Sequence, residues 1–193
     1  MLGCAQNEKE KVQEGPTVES VSNTVVTSKR KIKKLKVGAK WDTMPGITLC
    51  PGVPVTIERI KEAVLFWEDL GYRFDDIDQV PSTMLCQPSW GTITFRVPTG
   101  EELTRAVADG HLATTRYSTL VSSPESLIMA QIYFQRNNVS ELPLVVEHEL
   151  GHALGWLHHD LKGHLMHPVY SSTGHNTQGV EWSEYQKSAP LIK

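Results

Sequence analysis

His148-Glu149-Leu150-Gly151-His152-Ala153-Leu154-Gly155-Trp156-Leu157-His158 is the stretch that decides how this chain is read. Residues four apart on an α-helix lie on one face, a turn above each other, so His148 and His152 can aim two imidazole nitrogens at one point. Glu149 sits about 100° further round the helix, placed to reach a water beside a metal rather than to ligate the metal itself. Gly155 can take the left-handed conformation that ends a helix, letting the chain turn back so that His158 arrives from another direction. Three imidazoles suit Zn2+ and leave its fourth position to water, which separates a catalytic site from a closed structural one. Glu149 then reads as the general base.

Eight residues beyond His158 stands Met166, followed by His167-Pro168-Val169-Tyr170. Together with Gly151, Ala153 and Leu154 inside the motif, this segment resembles the metzincin metallopeptidases, and within them the matrixins, whose pattern after the zinc motif is Met-x-Pro-x-Tyr. The resemblance implies a zincin-like α+β fold. Its parts would be a twisted, mostly parallel sheet with an antiparallel edge strand, a backing helix, a zinc-site helix, and a small C-terminal subdomain with a methionine turn and a terminal helix. It also implies His148, His152 and His158 as ligands of one catalytic Zn2+, Glu149 as base, Met166 as the apolar floor, and Pro168, Val169 and Tyr170 as the wall of a substrate pocket. Pro168 stands where astacin-like and serralysin-like relatives carry tyrosine, so no tyrosine ligand is expected.

The departures matter too. There is no Pro-Arg-Cys-Gly segment ahead of the motif, so cysteine-switch latency is not indicated, and no loop rich in histidine, aspartate and glycine stands between Ala113 and Val139 to hold further ions. The likeness is to a minimal, bacterial or phage-type form. Seven of the eight histidines lie between 148 and 175. His159 is the nearest competitor for third ligand, but only His158 has the motif's offset; His164, His167 and His175 read as loop histidines.

With 193 residues, 39% hydrophobic, the chain suits one compact domain and a tail. Residues 1–40 contain no aromatic residue and include the basic run KRKIKKLK at 29–36, which reads as a flexible polar arm before a catalytic domain at 41–193. A net charge of −3 argues against nucleic acid as a partner, and no run reaches the 18 apolar residues of a membrane span. Cys4, in Leu-Gly-Cys-Ala, resembles a bacterial lipoprotein box, although only three residues precede it. Either it is a lipidation site anchoring the arm to a membrane or the likeness is coincidental. Cys50 and Cys86 are a candidate disulfide, or else two buried thiols.

Hydrophobic spacing predicts a strand over 47–50, a helix over 56–70 with Thr56 as N-cap, and strands over 92–97, 113–121 and 127–135. It also predicts the zinc helix over about 141–156, with Ser140 as N-cap and Pro143 in its first turn, and a short helix near 183–188. The family likeness assigns the substrate-binding edge to the 127–135 strand. The expected activity is zinc-dependent endopeptidase cleavage of a protein or peptide substrate, in an extracellular or cell-envelope setting. Two other readings stay open: a zinc-binding structural or adhesive module, virion-associated or at a cell surface, and a hydrolase of cell-wall peptides. The sequence is silent on oligomeric state.

Overall fold

The computed structural model describes residues 35–190; the polar arm up to Lys34 and the candidate lipidation site Cys4 lie outside the described residues. Four strands run parallel in the order β3-β2-β4-β6: β2 (Gly46–Leu49), β3 (Ile77–Gln79), β4 (Thr92–Phe95) and β6 (Ser123–Phe134). A two-residue β1 (Lys40–Trp41) joins β6 in parallel at Ser126 and Leu127. Among the described residues the antiparallel strand β5 (Ala113–Leu120) pairs with β6 alone, from Ala113 opposite Phe134 to Leu120 opposite Ser123. This is the mostly parallel α+β arrangement expected. The edge, however, is β5: the 127–135 strand cannot serve, because β6 already pairs with β4, β1 and β5.

Helix α1 (Ile57–Asp69) begins at Thr56, whose hydroxyl accepts from the Arg59 amide at 3.1 Å, and buries Ile60, Ala63, Val64 and Trp67. That apolar stripe at helical spacing packs into the single core, against sheet residues such as Ile93, Phe95 and Ile132. A helix not anticipated, α2 (Gly100–Ala108), starts with a reciprocal capping box between Thr99 and Glu102. Glu102 also takes two hydrogen bonds from Arg96, the residue just after β4, at 2.5 and 2.9 Å, and Arg116 on β5 lies 3.3 Å away. The hydrogen bonds from Arg96 pull its carboxyl down to about 2, with burial partly opposing them. A depressed carboxylate stabilises the fold above its ordinary value and loses that contribution as pH falls from about 4.5 through about 2. In thermal melts, the Tm gap between wild type and Glu102→Gln should therefore be present at pH 6 and shrink across that window.

Two expectations need correction. The zinc helix, α3 (Val145–Ala153), starts four residues late. Ser140 and Glu141 form a separate 3-10 turn, and the Ser140 hydroxyl donates to the Pro54 carbonyl instead of capping α3. Leu144, directly after Pro143, holds φ at +64° and breaks the chain between turn and helix. The packed domain also begins before residue 41. Leu35, Val37 and Ala39 are buried, and the segment pairs with the chain leaving α3 through Gly38 N to Gly155 O (2.9 Å) and Leu157 N to Lys36 O (3.0 Å).

Cys50 and Cys86 are joined in a disulfide that ties the end of β2 to the loop before β4.

Candidate metal centre

Helix α3 carries His148 and His152 on one face, as their spacing requires. It ends in a Schellman turn: Gly155 N donates to His152 O and Trp156 N to Gly151 O, both at 2.9 Å, with Gly155 at φ +102°. A Cβ at Gly155 would lie 2.0 Å from the Ala39 carbonyl oxygen, so the position demands glycine for close approach as well as for its dihedral. The last carbonyls of α3 are satisfied by side chains: Trp41 Nε1 donates to Ala153 O at 2.9 Å and Tyr185 Oη to Leu154 O at 2.8 Å. Tyr185 belongs to the terminal helix α4 (Trp182–Lys187), which thereby fixes the turn delivering His158.

The three imidazoles converge. His152 Nε2 lies 3.1 Å from His148 Nε2 and 3.0 Å from His158 Nε2. Nδ1 of His148 faces Leu165 O, and Nδ1 of His152 faces Trp156 O, each at 2.7 Å. A carbonyl can only accept, so both Nδ1 atoms carry the proton and both Nε2 atoms present a lone pair. Burial is the main reason these histidines stay neutral, taking His148 down to about 4 and His152 to about 3; it also lowers His158. Lone pairs facing one another at this distance call for a cation, and tetrahedral zinc with bonds of 2.0–2.1 Å would place its nitrogens about 3.3 Å apart. The donor set fits zinc. Among the described residues it is the only group of three or more candidate ligands found together.

Glu149 stands beside this group in a cleft of about 920 Å³, bounded by β5 on one side and residues 167–173 on the other. Burial raises its carboxyl to about 7, against the lowering effect of a hydrogen bond from Thr115. Pro168, Val169 and Tyr170 line the same cleft. Met166 is fully buried against Gly151: a Cβ there would come 2.5 Å from Met166 Sδ and 2.9 Å from Trp67 Cζ2. The glycine inside the motif thus lets Met166 pack directly against the helix.

His159 is outside the cluster, buried, with its amide donating to Met166 O at 2.8 Å. His164, read as a loop histidine, is fully buried and accepts the Met166 amide on Nδ1 at 3.0 Å, which shapes the methionine turn. His167 borders the cleft, as does His111, which the sequence reading passed over because it stands alone between α2 and β5. Two further residues were missed. Arg59 of α1 grips Glu147 of α3 through two hydrogen bonds, at 2.7 and 2.6 Å, and Thr115 of β5 contacts Glu149. Such pairings join elements distant in sequence, and no local spacing announces them.

No curated protein matches the sequence. The family model for matrixins, peptidase family M10, matches residues 59–187, from α1 through α4 and about two thirds of the chain. Zinc motif, methionine turn, mostly parallel sheet and family match agree: the chain belongs to the matrixins, a family of zinc-dependent metallopeptidases.

Proposed function

We propose that this matrixin is an endopeptidase that takes an extended peptide along β5 and hydrolyses it beside Glu149. The observation carrying this reading is the convergence of three imidazole Nε2 atoms with a buried carboxyl in one cleft, along a strand edge that has no partner among the described residues. A strand edge receives backbone on both sides of a bond, through main-chain hydrogen bonds, with pockets for alternate side chains. His148, His152 and His158 would hold the zinc, which supplies polarisation of the scissile carbonyl and a water made nucleophilic near neutral pH. Glu149 takes the proton from the attacking water and passes it to the departing amine. Its raised proton affinity suits both halves of that task, because a carboxyl near 7 accepts and releases protons readily at neutral pH. Val169 and Tyr170 face the substrate from the opposite wall, and Met166 gives the site a dry floor. The Cys50–Cys86 bond supports work in an oxidising setting, extracellular or in the cell envelope.

Digestion of a proteome-derived peptide library, read by mass spectrometry, tests the reading. Internal cuts should appear, vanish with a zinc chelator and return when Zn2+ is restored. Trimming from chain ends alone, or no cleavage in the zinc-loaded protein, would contradict it.

A further inference from the structure

We infer that Thr115 is a positioning residue for the base: its hydroxyl holds Glu149 Oε2, leaving Oε1 as the oxygen that takes the proton. The inference rests on the endopeptidase reading above. Thr115 lies on β5 opposite Ile132, and its Oγ1 is 2.5 Å from Glu149 Oε2 and 3.1 Å from the Glu149 carbonyl oxygen. A hydroxyl has one proton to donate, and of these two acceptors the carboxylate oxygen is much the nearer. Among the described residues no hydrogen bond reaches Oε1. The two carboxylate oxygens are therefore distinguished by Thr115, one tethered to the strand and one left for chemistry.

The tether has a mechanical purpose. A glutamate side chain has three rotatable bonds, and a base productive in proton transfer must be held within a narrow range of positions. α3 fixes only the Cα of Glu149; the hydroxyl from the facing strand fixes the other end. The neighbouring Thr114 cannot substitute, because successive side chains on a strand point to opposite faces. Its hydroxyl is buried and has no hydrogen-bond partner among the described residues. The arrangement also places the base's tether on the strand proposed to seat the substrate, so one element sets the position of both reacting partners.

A merely structural role, fastening β5 to α3, would alter stability without singling out turnover. Thr115→Val keeps the shape and removes the hydroxyl, whereas Thr115→Ser keeps the hydroxyl. In zinc-loaded protein, Val should lower kcat by about ten- to a hundredfold with KM within about twofold, and Ser should stay within about threefold of wild type. All forms should retain one zinc per chain. A crystal structure of the Val variant should show the Glu149 carboxylate in more than one rotamer, with the spacing of the three Nε2 atoms unchanged. If Val does not fold, Thr115→Ala is read in the same way. Wild-type kcat in the Val variant, a loss confined to KM, or a Ser variant as slow as Val would each overturn the proposal alone. A wild type that cleaves no peptide would overturn the endopeptidase reading and this proposal with it.

Discussion

Glu149→Gln is expected to lower kcat by about 10²–10⁴-fold while leaving zinc bound. The amide matches the carboxylate in size and can still accept the Thr115 hydroxyl, so the site's geometry should persist. What disappears is the capacity to take a proton and return it. The converging ligand atoms belong to His148, His152 and His158, without Glu149, so metal affinity should be nearly unchanged. Peptide turnover and zinc content measured on the same preparation check the result. More than a tenth of wild-type kcat in the Gln variant, or loss of zinc, would mean that Glu149 is not the base or not only the base.

Arg59→Ala is expected to destabilise the fold by about 3–5 kcal/mol, the cost of leaving a buried carboxylate unpaired. Glu147 is almost fully buried next to the first zinc-motif histidine, and Arg59 supplies both of its ion-pair hydrogen bonds. Trp67 of α1 adds a third link, its Nε1 donating to the Glu147 carbonyl at 2.9 Å. Together these clamp α3 onto α1 and set the helix height above the Met166 floor. Urea unfolding should be compared at one fixed zinc concentration, because bound metal adds its own stabilisation. Replacing the pair together, Arg59→Met with Glu147→Leu, should recover most of the loss, since an apolar pair leaves no buried charge. A single-variant loss below about 1 kcal/mol would show that the ion pair is not holding the helices together.

The chemistry of this chain is legible because its densest signals are local. An eleven-residue motif brings three imidazoles and a carboxyl together, since helix periodicity places His148 and His152 on one face and Gly155 permits the turn to His158. The amphipathic spacing of Ile60, Val64 and Trp67 with Thr56 ahead of them likewise specifies α1. Elsewhere local cues were overridden or overlooked. Pro143 could have sat in the first turn of a longer zinc helix, but Leu144 in the left-handed region and Ser140 bonded to Pro54 separate a 3-10 turn from α3. Thr99 and Glu102 form a capping box that marks the start of α2 in the sequence as well as in the structure. The edge position was misassigned because which of two adjacent strands lies outermost depends on pairing across the sheet, and both 113–121 and 127–135 satisfy strand periodicity. The packing of residues 35–40 is hidden by the basic run beside them: Leu35, Val37 and Ala39 are buried, while Lys36 and Gly38 between them bond to Leu157 and Gly155, more than a hundred residues away. Thr115 and Arg59 act through contacts of the same long-range kind.

The proposed function requires that His148, His152 and His158 together hold one zinc ion beside Glu149. Crystals of the protein grown with Zn2+, measured on both sides of the zinc absorption edge, test it directly. One strong anomalous peak per chain is expected, equidistant from the three Nε2 atoms at about 2.0–2.1 Å. A peak at His159 and His164 instead, or none near residues 148–158 in zinc-saturated crystals, would contradict it.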